Sequence, residues 1–125
     1  MPVQAANQGW VVSHAPAVSQ QATASKAAGA AGVKHVATGL SFGLSARTAV
    51  AASTVTVNLR DGATGAGTIL ASWTFDLVAA TLAPITVSLS GLQLQGSAAT
   101  AMTLEFGALL TNLLEFVNLV GNDVS

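Results

Sequence analysis

The chain contains no cysteine among its 125 residues. That excludes a disulfide framework and thiolate metal sites, so stability must come from packing alone. Charge is almost as scarce. Four Lys/Arg and five Asp/Glu make up 7% of the chain, where an ordinary soluble domain carries about 25%. With a net charge of −1, no basic patch can neutralise several phosphates, which argues against nucleic acid as a partner. Long apolar runs are missing too. The longest candidate, Leu109 to Val120, is interrupted by Asn112, Glu115 and Asn118 and falls short of the about 18–20 apolar residues of a membrane span. The opening MPVQAANQGWVV lacks the basic segment and apolar stretch of a secretory signal. These absences lead us to expect a soluble protein made in a cytoplasm, with no membrane partner.

What is present is apolar and small. Hydrophobic residues reach 51%, aromatics only 5%, and much of the apolar count is alanine. The surface must then be covered by Ser, Thr, Gln, Asn, Gly and Ala. Such a surface protects a free monomer poorly against association. It suits a protein packed against copies of itself or against a larger assembly; a small β domain with an unusually neutral surface is the alternative. The length fits one domain with one core.

Period-2 alternation dominates the chain. Val55, Val57 and Leu59 share a face in TVTVNLR, and Ile85, Val87 and Leu89 share one in PITVSLS. After Gly91 the alternation resumes one step shifted, with Leu92 and Leu94, as a bulge or short turn at glycine would produce. In TILASWTFDL the residues Ile69, Ala71, Trp73, Phe75 and Leu77 fall on one face. GLSFGLS and TAMTLEF repeat the pattern. Leu109 to Val120 fits a helix face through Leu109, Leu110, Leu113, Leu114 and Val117, or a strand face through Leu114, Phe116 and Val120. The strand is favoured in its second half because every other element is β. Turn signals between these runs complete the pattern of an all-β antiparallel sandwich, jelly roll or small barrel.

Residues 1–32 differ, being rich in Ala, Gln and Ser with weak periodicity. They read as an N-terminal arm that lies along the domain or reaches a neighbour, with a disordered leader as the alternative, and 33–125 as the β-sandwich domain. Trp10-Val11-Val12 favours an arm that docks. Deleting the arm is expected to leave the domain folded.

The stretch NLRDGATGAGTIL (Asn58 to Leu70) is the best lead to chemistry. A phosphate-binding loop of the GxxxxGK[ST] type needs its lysine to reach the β- and γ-phosphates, and Thr68 stands in that place. A dinucleotide loop needs GxGxxG opening a helix; here the spacing is GxxGxG before a β-patterned run. A hairpin with glycines at positive φ is the reading that remains. His14 and His35 have no local acid partners, the acids are scattered one per element, and no GxSxG elbow occurs. No catalytic residue, metal site or cofactor is therefore assigned, and no enzyme activity is expected. The candidate contact residues are Trp10 and His14 in the arm, Lys34 and His35 at a strand start, and the adjacent pair Arg60-Asp61 at a strand end.

ATASKAAGAAGVKHVATGLSFGLSA (Ala22 to Ala46), TVTVNLRDGATGAGTILASWTFDL, ITVSLSGLQLQGSAATAMTLEF and the closing GNDV together resemble a family of small virion structural proteins from tailed bacteriophages and prophages. The likeness covers Ala22 to Val124. It implies a β sandwich working as a capsid decoration (cement) protein that binds the major capsid protein and resides in the virion. A homo-oligomer is implied, with a trimer as the leading expectation. A tail, baseplate or fibre component, with glycan or receptor contact through Trp10 or Trp73, is the alternative.

Overall fold

The computed structural model describes residues 9–125, apart from Leu82 and Leu109. Eight strands follow in order: β1 (Gly9–His14), β2 (Thr23–Lys26), β3 (Lys34–Ala46), β4 (Ser53–Asp61), β5 (Thr68–Leu77), β6 (Ile85–Ala98), β7 (Met102–Phe106) and β8 (Leu113–Val124). All ladders between them are antiparallel. They form two four-stranded sheets, ordered β1-β8-β3-β6 and β2-β7-β4-β5, and so an all-β sandwich with the strand arrangement of a jelly roll.

Alternation dictates the core. Leu40, Phe42 and Leu44 of β3 face Val55, Val57 and Leu59 of β4 and Met102, Leu104 and Phe106 of β7, all buried. Phe42 sits at the centre, its ring 6.3 Å from Phe106, 5.6 Å from Trp73 and 6.5 Å from Phe75. Full burial of side chains this size contributes about 1.5–3 kcal/mol each, which offsets the missing disulfides.

Two strands take a different phase from the one expected. Between Leu59 and Arg60 the β4–β5 register slips, which leaves Leu70 as an extra residue and turns Ile69 outward, 47% exposed. In β8 the inward residues are Leu113, Glu115, Val117 and Leu119; Leu114, Phe116 and Val120 lie on the outer face. Apolar residues on both faces of LLEFVNLV left the phase to its neighbours, and pairing with β1 and β3 sets it. The bulge expected at Gly91 is present: β6 runs through it, with φ +71 at the glycine and a register slip against β3.

The expected arm needs a correction. Its first eight residues lie outside the described ones. The remainder supplies β1, paired along its length with β8, and β2, paired with β7. Strands on both sides of the 32/33 boundary thus belong to one sandwich, and Ala22 and Ala24 are core residues. Weak periodicity concealed them because the buried side chains there are alanines.

The glycine-rich stretch is the β4–β5 hairpin. Asp61 pairs with Thr68 at its neck, and Gly65 and Gly67 adopt φ of +72° and +81°. A Cβ on Gly67 would overlap the Asp61 carbonyl oxygen, so both backbone angle and space require glycine there.

Candidate assembly surface

The sandwich has two long edges, one formed by β1 and β2 and the other by β5 and β6. At the first, a polar cluster ties the two ends of the fold together. Trp10 Nε1 donates to Asp123 Oδ1 at 2.7 Å, and His35 Nδ1 lies 2.5 Å from the same oxygen. His35 Nε2 lies 2.8 Å from the Ala27 carbonyl oxygen. A carbonyl only accepts, so Nε2 carries a proton. The His35 ring is buried and meets Trp10 edge-on at 5.5 Å, while Lys26 Nζ stands 5.9 Å over the Trp10 ring. Gly121 makes room: a Cβ there would come within 2.5 Å of the Trp10 ring.

Around the hairpin a second cluster forms on the outer face of the other sheet. Glu105 is buried, and its Oε1 accepts from Arg60 Nε at 2.6 Å and from the Gly65 backbone N–H at 2.9 Å. Thr103 donates to the Gly62 carbonyl at 2.8 Å. The loop is folded down onto β7, and the anion its glycines hold is a carboxylate of their own chain. Asp61 accepts from Ser97 N at 2.9 Å and Ser97 Oγ at 2.6 Å, linking β4 of one sheet to β6 of the other.

Glu115 is the second buried acid. Its Oε1 accepts from the Ala22 N–H at 3.0 Å, and Oε2 has no protein partner. Burial pushes its carboxyl up to about 7, partly opposed by the Ala22 hydrogen bond. Asp76 accepts from Thr54 Oγ1 at 3.1 Å. Every one of the five carboxylates therefore accepts an intramolecular hydrogen bond.

Five of the six residues singled out in the sequence are thus engaged inside the fold. Trp10 and His35 share Asp123, Arg60 holds Glu105, Asp61 holds Ser97, and His14 Nδ1 accepts from the Thr23 N–H at 3.0 Å. Lys34, half-buried, sits opposite Ala98 and Val124 in the ladders. Sequence reasoning missed Asp123, Glu105 and Glu115. Only Asp123, in the closing GNDV, carried any signal. Among the described residues no group of three or more His, Cys, Asp or Glu could hold a metal ion.

The β5–β6 edge is different. There the two sheets stand apart around a cleft of about 550 Å³ lined by Phe42, Trp73, Phe75, Ile85 and Val87, with Ser72, Thr74 and Asp76 as its polar members. Trp73, Phe75, Val87, Leu89, Leu92 and Leu94 pack on the core yet stay only partly buried. The outer face of the β1-β8-β3-β6 sheet carries a shallow groove over Thr38, Gly39, Ser41, Ser88, Ser90 and Asn118. Hydroxyls, an amide and backbone are its polar groups. What these surfaces offer chemically is contact: apolar side chains, strand edges and neutral hydrogen-bonding groups.

No protein-family model matches the chain, and no curated protein does. Among solved structures, a Bacillus endospore appendage, of a family of disulfide-linked pili, is 14% identical with a TM-score of 0.39, covering 95% of this chain and 88% of that one. A CBM4 structure is 12% identical with a TM-score of 0.38, covering 90% and 70%. The coat protein of Tobacco streak virus is 9% identical with a TM-score of 0.34, covering 98% and 90%. These are remote likenesses among chains of other proteins.

Proposed function

We infer that this protein is a non-enzymatic structural component of a bacteriophage virion, a capsid decoration protein that binds the major capsid protein and acts as a homo-oligomer. The observation that carries the reading is the disposition of charge. All five acids accept internal hydrogen bonds and only Asp76 among them is exposed, so the surface presents mainly hydroxyl, amide and apolar groups. A general acid or base would need a carboxylate directed at a substrate. A lattice-binding protein instead needs a rigid, neutral face, where modest contacts multiply over many copies. The motifs from Ala22 to Val124 supply the phage setting, and rigidity comes from the buried clusters that lock hairpin and termini.

Cryo-microscopy of the purified virion tests this reading. Density for the chain on the capsid shell, at hundreds of copies, is the expected result. Density on the tail alone, at a few dozen copies or fewer, would assign it to the tail, baseplate or fibre instead.

A further inference from the structure

We propose that the free edge of β6 is a self-pairing interface, through which two copies of this chain join antiparallel strands about a two-fold axis. The pairing rests on the assembly reading above but concerns the isolated protein.

Three observations lead to it. The first is length. β6 spans Ile85–Ala98 and has β3 on one side only. Its last residues are covered where Ser97 binds Asp61, which leaves Ile85 to Gln95 as a row of exposed backbone donors and acceptors. Of the other edge strands, β1 and β2 have 6 and 4 residues, too short to match it, and β5 has 10. Within this protein, only another β6 matches that row in full.

The second is charge. Natural sheets blunt exposed edges with lysines, prolines, inward charges or bulges. β6 reads ITVSLSGLQLQGSA, with no charged residue and no proline, and of these devices carries only the bulge at Gly91. Self-pairing therefore brings no like charges together. By contrast β2 carries Lys26 and β5 carries Asp76.

The third is the cleft. Half-exposed Trp73, Phe75 and Val87 lie just inside this edge. Among the described residues, three of the six exposed large hydrophobics, Ile69, Val78 and Ile85, lie on β5, β6 or the turn after β5. A second copy brings the same apolar side chains to cover them. Eleven paired residues span roughly 36 Å, and two sheets about 10 Å apart make the edge about 20 Å deep. That is on the order of 700 Å² per partner, close to the about 800 Å² of a stable interface. The product is one continuous eight-stranded layer, flanked by the two β2-β7-β4-β5 sheets, with an even-numbered symmetry, unlike the threefold arrangement that the family resemblance implied.

The full chain is measured by light scattering and sedimentation at about 100 µM. The expected result is twice the chain mass, reverting to one chain mass in the S88K/S90K variant with an unchanged circular dichroism spectrum. Both serines lie on the exposed face of β6, so the lysines spare the monomer while opposing their counterparts across the axis. Since the chain has no cysteine, single cysteines at Thr86, Ser88, Ser90 and Gln93 provide an independent readout. Near the two-fold, one of them oxidises to a covalent dimer, whereas a cysteine at Ser13 on the opposite edge does not. A monomeric wild type, or a dimer that survives both lysines and cross-links at Ser13 instead, overturns the proposal. A β6-paired dimer missing from virions would defeat only the capsid reading, and a monomer that loads onto capsids would defeat only this one.

Discussion

The two long edges of this sandwich are built from different materials. At the β1–β2 edge, Trp10, Lys26, His35 and Asp123 form a polar cluster that seals the sheets. Along the β5–β6 edge the neighbours are Trp73, Phe75, Ile85 and Val87, and the sheets stand apart. A chain with nine charged side chains has spent several of them closing one side and left Asp76 as the one charge lining the cleft on the other. Directional, buried hydrogen bonds specify one arrangement, whereas a largely apolar edge accepts a partner. The contrast separates what holds the protein together from what it offers to others.

The comparison breaks most severely if the closed edge is removed. Deleting residues 9–26 takes away β1 and β2 along with buried Ala22 and Ala24. It also uncovers the core-facing residues of β8. No cooperative thermal transition is expected by circular dichroism, contrary to the folded domain that the sequence had suggested for an armless chain. A sharp melt near that of the full chain would show that β1 and β2 are dispensable.

Glu115 is next, since it lies beneath the first strands and binds the Ala22 N–H. Its carboxyl is raised from 4.5 to about 7 in the fold, so the folded state holds a proton that the unfolded chain releases. Stability from this group is fully present below about pH 4.5. It declines as pH rises towards 7 and is lost above, a change on the order of 3 kcal/mol. E115Q should flatten that decline and melt higher than the wild type at pH 8. Parallel melting-temperature profiles of the two proteins from pH 5 to 8 would contradict the assignment.

Asp123→Ala leaves the Trp10 Nε1 donor without its acceptor and removes the oxygen that His35 Nδ1 faces, and a loss of about 1–3 kcal/mol follows in urea unfolding. A change below 0.5 kcal/mol would place the closing force in apolar contact alone. At the open edge, Val87→Thr, half-buried in the cleft, should lower monomer stability by only about 1 kcal/mol or less. If it costs as much as Asp123→Ala, the two edges do not differ in the way described.

Much of the fold was legible because it depends on local alternation. β4, β7 and the first half of β6 show their buried face directly in Val55-Val57-Leu59, Met102-Leu104-Phe106 and Val87-Leu89. The hairpin was legible from its glycine spacing. Where tertiary pairing decided, the sequence was silent. The slip between Leu59 and Arg60 that turns Ile69 outward has no marker in TILASWTFDL. Glu115 in β8 looked like the polar, outward member of its pair, yet faces inward because β8 must present Val117 and Leu119 to the core. The polar clusters were the least legible. Trp10 and Asp123 are 113 positions apart, and no spacing rule connects residues that only the completed sheet brings together.

The position of β8 also determines when the protein can fold. As the last strand of the described chain it does not lie at a sheet edge but between β1 and β3. While the ribosome is still making it, β1 has no strand to pair with, and one flank of β3 is bare. The second sheet needs only β2, β4, β5 and β7, all of which emerge earlier. One layer can therefore assemble during synthesis, while the other waits for the final strand and closes by long-range pairing, the slow kind. A chain stalled before Leu113 would carry a half-sandwich with its apolar face open to the cell.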